Sequence, residues 1–231
     1  MFQVSKIQIK SVSLRLNCKK MIKISKNNLD FLRRARKIYF VAMTLELDEG
    51  HTDSPVIYTG VGKARMTRAA LKFLKENPAL VSAGVYDPAE RMRLVEDGKL
   101  PLIVNLGTAG SGKLGRGDIV LCSSFVNNGD DFIRERLDFP VVPEPASYVC
   151  GSSDWFISEK NFSNSEVASM REEFDCLDME AYALANICDI YGLPFCAVKC
   201  ISDGADDTVL NFDLELPRFR AMLNEFVESL N

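Results

Sequence analysis

Four stretches of this 231-residue chain carry side chains suited to chemistry on a small polar molecule. Glu46 lies just beyond the apolar run IYFVAM (38–43), where a carboxylate can serve as a general base toward water. Ser202-Asp203-Gly204-Ala205-Asp206 follows directly on another apolar run. An aspartate at such a strand end, partly desolvated and close to a second acid, can hold a proton and donate it. Glu180 stands after Leu177-Asp178-Met179 near the start of a helix pattern, and its two acceptor oxygens match the two donors of a vicinal diol. The turn GTAGSG (107–112), which contains Thr108, Ala109 and Gly110, offers backbone N–H groups to an anion or a sugar hydroxyl.

Each of these residues also has a plain structural reading. Glu46 keeps company with Asp48 and Glu49, as a surface-loop acid would. Glu180 can complement a helix dipole from the first turn, and SDG and ADD are ordinary turn and N-cap chemistry. GTAGSG is neither a P-loop nor a GxGxxG fingerprint, and a tight turn explains it equally well. Trp155 and Phe156 read by composition as packing residues. Lys63 and Arg65 open a helix, where cations oppose the dipole; they mark a site or form an exposed pair. His51, the single histidine, lies among polar loop residues and receives no role.

The elements that would position these residues alternate between two periods. Short apolar runs at 38–43, 56–62, 100–112, 118–126, 148–158 and 194–206 read as strands buried on both faces. Helical spacing appears in 63–77, 177–192 (with Gly192 as C-cap) and 217–230. This alternation predicts an α/β three-layer fold, with a central, mostly parallel or mixed twisted sheet flanked by helices. Ligands bind beyond the carboxyl ends of strands in such sheets. Glu46, the 107–112 turn, 151–156 and 202–206 then share one rim. Residues 1–36 read as a basic N-terminal extension and 37–231 as a single catalytic domain.

Composition narrows the function classes. At 47% hydrophobic and 26% charged, the chain has the makings of a globular core. Residues 1–40 hold eleven Lys/Arg against one acid, Asp30, and the rest holds seventeen basic against thirty-one acidic residues. So acidic a body does not offer the basic face that sequence-independent nucleic-acid binding requires, and the basic start reads as a solvated arm. Seven cysteines, mostly inside apolar runs and without CxxC pairs or a histidine cluster, argue against both a zinc site and a disulfide framework. The absence of a signal-peptide pattern or of a long apolar window predicts a cytoplasmic protein that does not cross a membrane.

Taken in order, FVAMTLE (40–46), TGVGKARMTRAA (59–70), VNLGTAGSGKLGRGDIV (104–120), CGSSDWFI (150–157), DMEAYALA (178–185) and ISDGADD (201–207) resemble the nucleoside phosphorylase/nucleosidase superfamily. The resemblance covers about 38–230 and is strongest to the 5′-methylthioadenosine/S-adenosylhomocysteine nucleosidases. It implies that Glu46 activates the attacking water. Asp203 would protonate the purine at N7, with Ser202 orienting it. Met179 and Glu180 would hold the ribose, Phe156 would stack on the base and Ile157 would read its edge through the backbone. Thr108, Ala109 and Gly110 would line the sugar and water pocket. It further implies a purine nucleoside as the small-molecule partner, a homodimer, and no metal or organic cofactor.

Two alternatives accompany this reading: a phosphate-using purine nucleoside phosphorylase, and a catalytically degenerate nucleoside-binding protein. Phosphorylases of the superfamily place arginines around phosphate, one in a loop after the first strand and one just before the Gly-Ser/Thr turn. Here 44–54 contains no arginine, and Asn105-Leu106 precedes Gly107, which favours hydrolysis. Trp155 stands where the superfamily usually has a small residue, beside the base-stacking ring.

Overall fold

The structure, a computed structural model, describes residues 21–129, 135–140, 143–144, 148–207 and 212–231. Its core is built on four long or fully buried strands. β1 (Lys37–Val41), β3 (Leu102–Gly110), β4 (Ile119–Asn127) and β8 (Phe195–Asp203) are rich in Val, Ile, Leu, Phe and Cys, as strands covered on both faces must be. Among the described residues four shorter strands join the sheet: β2 (Val56–Tyr58), β5 (Arg136–Asp138), β6 (Tyr148–Ser152) and β7 (Cys176–Asp178). Among the described residues seven α-helices flank it: α1 (Lys26–Arg34), α2 (Lys63–Glu76), α3 (Pro78–Ala83), α4 (Pro88–Glu96), α5 (Asn164–Glu173), α6 (Ala181–Ile190) and α7 (Phe212–Glu228). The mixed α/β expectation is met.

The sheet is not simply open. β3 pairs with both β8 and β7, β8 with β4, β4 with β6, and β6 with β7. These five strands therefore close into a ring, while β2 and β1 extend the sheet in parallel from β3, and β5 edges β4. The register of β3 against β8 slips between Ala109 and Gly110. Such bulges re-aim side chains at sheet rims, and this one falls at the end of β3 where the 107–112 turn was expected.

Several boundaries differ from the sequence reading. The span 177–192 is not one helix: Cys176–Asp178 pair as β7, and the helix proper begins at Ala181. The run 148–158 stops being a strand at Ser152. The last helix begins at Phe212, five residues before Pro217; the proline lies inside it and forgoes one helical hydrogen bond. Part of the stretch read as the extension packs against the body. Ser25 caps α1, whose Phe31 and Leu32 are buried in the main core, and Lys37 Nζ satisfies the Leu32 and Ala35 carbonyls at its far end at 2.7 and 2.9 Å. Burial of those side chains ties 24–35 to the body; residues 1–20 of the basic arm lie outside the described residues. No described helix is long and apolar enough to cross a membrane.

Candidate active site

Strand ends and the loops that leave them enclose a cavity of about 300 Å³. Glu46, Thr108, Ala109, Gly110, Phe156, Ile157, Met179, Glu180, Ser202 and Asp203 all line it. The structure thus brings together every residue singled out above for catalysis or binding.

Glu46 is no surface-loop acid, being only 3% exposed. Its Oε1 accepts from Thr108 N at 2.8 Å and Thr108 Oγ1 at 2.7 Å, and its Oε2 from Met43 N at 3.2 Å. This close seating depends on Gly107, because a Cβ there would stand 2.9 Å from Glu46 Oε1. Burial pushes the Glu46 carboxyl above the usual range, against the opposing pull of the Thr108 bonds and the Lys199 charge.

Asp203 ends β8. Its Oδ2 accepts from Ser202 Oγ at 2.7 Å and its Oδ1 from Ala205 N at 2.9 Å, so the turn chemistry read from SDG is present too. Ser202 Oγ also lies 3.2 Å from the Ala109 carbonyl. Gly110 admits this arrangement; a Cβ there would meet Asp203 Oδ1 at 2.5 Å. Burial raises the Asp203 carboxyl, with Asp206 adding to the effect and the Ser202 and Ala205 bonds opposing it.

Glu180 occupies the N-cap position of α6 but does not cap it. Its Oε1 reaches instead across to Gly62 N, at 2.7 Å, on the loop that opens α2. The first-turn N–H groups of α6 go to other residues: Ala181 N to Asp178 Oδ2 at 2.9 Å and Tyr182 N to Ser152 Oγ at 2.8 Å. Burial, then the neighbouring Asp178 charge, holds Glu180 well above the ordinary carboxylate range. Three buried carboxyls from three different chain segments thus face one cavity, each raised above its ordinary value chiefly by burial.

The mouth is apolar. Phe156 is 48% and Trp155 65% exposed, so neither is the core residue its composition suggested. Lys63, on the first turn of α2, donates to Asn127 Oδ1 at 2.8 Å and pairs with Asp154 at 3.1 Å, tying α2 to the loop that carries both rings. Sequence reasoning passed over Asp178, which also lines the cavity, and its partner Lys199. The signal was available: a lysine in the middle of the apolar run PFCAVKCIS needs a buried partner. Asn105, where a phosphate-binding arginine was sought, is 1% exposed and donates to the Phe40 carbonyl at 3.1 Å.

Residues 146–230 match the family model described as Phosphorylase superfamily. The 5′-methylthioadenosine/S-adenosylhomocysteine nucleosidase of Glaesserella parasuis serovar 5 is 28% identical over 184 residues, spanning 64% of this chain and 78% of that protein. Among solved structures, the same nucleosidase from Helicobacter pylori with butyl-thio-DADMe-Immucillin-A superposes with a TM-score of 0.58 at 19% identity, covering 85% of this chain and 97% of its own. Futalosine hydrolase of Helicobacter pylori gives 0.57 at 19% identity, with the same coverage of both chains. The chain therefore has the fold of nucleoside phosphorylase/nucleosidase structures and is similar to the 5′-methylthioadenosine/S-adenosylhomocysteine nucleosidases.

Proposed function

We propose that the protein is an N-ribosyl hydrolase that cleaves the N-glycosidic bond of a purine nucleoside of the 5′-methylthioadenosine/S-adenosylhomocysteine type. Glu180 accepts from the 2′- and 3′-hydroxyls, and Met179 packs under the sugar. Phe156 stacks on the base, whose edge meets the backbone of Ile157. Asp203, steadied by Ser202, gives its proton to purine N7 as the C1′–N9 bond breaks. Glu46 takes a proton from the water that forms the new C1′–O bond, beside the sugar pocket of Thr108, Ala109 and Gly110. The products are free base and the ribose derivative, and atoms balance with water alone. Each proton transfer contributes typically ~10²–10⁴-fold.

The observation that carries this reading is the set of buried carboxyls Glu46, Glu180 and Asp203 around one cavity. Its described lining also includes Asp178 and Asp213 and no lysine or arginine, which suits water as nucleophile better than phosphate. The homodimer and the cytoplasmic location belong to the same proposal; light scattering and fractionation check them.

Base release is the test, measured on a nucleoside panel with methylthioadenosine, adenosylhomocysteine and futalosine, in phosphate-free buffer and again with phosphate. The proposal expects phosphate-independent release that Asp203→Asn abolishes while nucleoside binding persists. Release only with phosphate would make the protein a phosphorylase, and binding without release a nucleoside-binding module.

A further inference from the structure

Inside the ring of strands, Lys199 Nζ sits 2.7 Å from Asp178 Oδ2, with both side chains 1% exposed. The two strands that carry them, β8 and β7, flank β3 on opposite sides, so the ion pair bridges two strands that do not hydrogen-bond to each other. A buried pair of this kind is a poor source of net stability, because desolvating both charges offsets most of their attraction. Here it is wired to the site. Asp178 Oδ1 accepts from Ser152 Oγ at 2.5 Å, and that hydroxyl oxygen in turn accepts from Tyr182 N. Asp178 Oδ2 accepts from Ala181 N as well as from Lys199. Asp178 and Ser152 thus take over the capping of α6, which leaves the Glu180 side chain free to turn into the cavity.

We propose that Lys199 is a positioning residue for the nucleoside site: by pairing with Asp178 it holds the start of α6 and presents Glu180 to the ribose as a carboxylate. This rests on the nucleosidase reading and assigns to that site a group outside its lining. The groups that face Glu180 are Gly62 N from the α2 loop, Asp178 from β7, Lys199 from β8 and Glu46 from the loop after β1. Lys199 is the one cation among them. Although burial works against its charge, the Asp178 carboxylate beside it keeps the ammonium above its ordinary value, so it stays charged throughout the working pH range. Without it, nothing on β8 offsets the Asp178 charge that raises Glu180 alongside burial, and a protonated Glu180 loses acceptor capacity for the diol.

The test compares full-length wild type, Lys199→Met, Lys199→Arg and the double variant Asp178→Asn/Lys199→Met. The readouts are kcat and KM against pH with 5′-methylthioadenosine and its 3′-deoxy analogue. Lys199→Met should raise KM and move the acid limb of kcat/KM toward alkali, a loss of roughly tenfold at fixed pH for each pH unit moved. Lys199→Arg and the double variant, which keep the buried charges balanced, should recover most of it. The 3′-deoxy substrate, with one hydroxyl fewer for Glu180, should respond less. Should Lys199→Met fold poorly, Lys199→Gln, which also removes the charge but leaves Asp178 a polar neighbour, is read by the same criteria. An unmoved acid limb, or an equal loss on both substrates, overturns the inference and leaves Lys199 a structural residue. The nucleosidase reading itself is judged separately, by whether the wild type releases base at all; if it does not, the inference falls with it.

Discussion

Thr108→Val probes the proposed water-activating base most directly. Thr108 gives Glu46 Oε1 two hydrogen bonds from one residue, the backbone N at 2.8 Å and Oγ1 at 2.7 Å. Valine keeps the shape and the backbone bond and removes only the hydroxyl. A hydrogen bond to a charged acceptor contributes about 1.5–3 kcal/mol, and the site, with Glu46 only 3% exposed, affords little water to replace it. Since 1.36 kcal/mol is a factor of ten, the ionised form of Glu46 should become roughly ten- to a hundredfold scarcer at a fixed acid pH. The sign is set by the balance described above: burial already raises Glu46, the Thr108 bonds oppose that rise, and losing one lets it rise further. A continuous assay of base release across the acid and neutral range should therefore show the acid limb of kcat/KM displaced toward alkali, with the high-pH plateau within a fewfold of wild type. Thr108→Ser, which retains the hydroxyl, should leave the limb in place. A Thr108→Val enzyme slowed equally at every pH, or a serine variant that behaves like valine, would refute the role of Glu46 as a base tuned by this hydroxyl.

Two further outcomes follow from burial and exposure. Because the folded Glu180 lies above its unfolded value, its contribution to stability is present below the ordinary carboxylate value and is lost as pH rises through the folded one. Glu180→Gln should accordingly raise Tm at neutral pH by about 2–4 °C per kcal/mol recovered, flatten its pH dependence and abolish nucleoside binding, as thermal scans and calorimetry would reveal. Phe156→Ala, at a ring 48% exposed, should change stability by no more than about 0.5 kcal/mol. It should nevertheless raise KM roughly five- to a hundredfold with kcat little altered, since base–aromatic stacking contributes about 1–3 kcal/mol; an unchanged KM would remove Phe156 from the base site.

The site was more legible in the sequence than the frame around it, for a physical reason. Strand ends announce themselves: an apolar run that breaks into Gly, Ser, Thr and acids marks where a buried strand meets a rim, and Glu46, Thr108 and Asp203 stand at such breaks. Closure of five strands into a ring leaves no comparable trace. It depends on β7, three residues long and running directly into a helix, so that CLDMEAYALA reads at helical period throughout. The basic KNNLDFLRR hides α1 in the same way, since only Phe31 and Leu32 join Asn28 in facing inward. The Ser163–Glu166 capping box of α5 was a readable N-terminal signature that periodicity alone overlooked, because the helix buries only Val167 and Met170. The Lys199–Asp178 pair completes the contrast. A charge inside an apolar run declares that a partner exists, but the identity of that partner is a property of the ring. Only closure sets β7 beside β3 and within reach of β8, and so places a lysine behind the carboxylate proposed to hold the ribose.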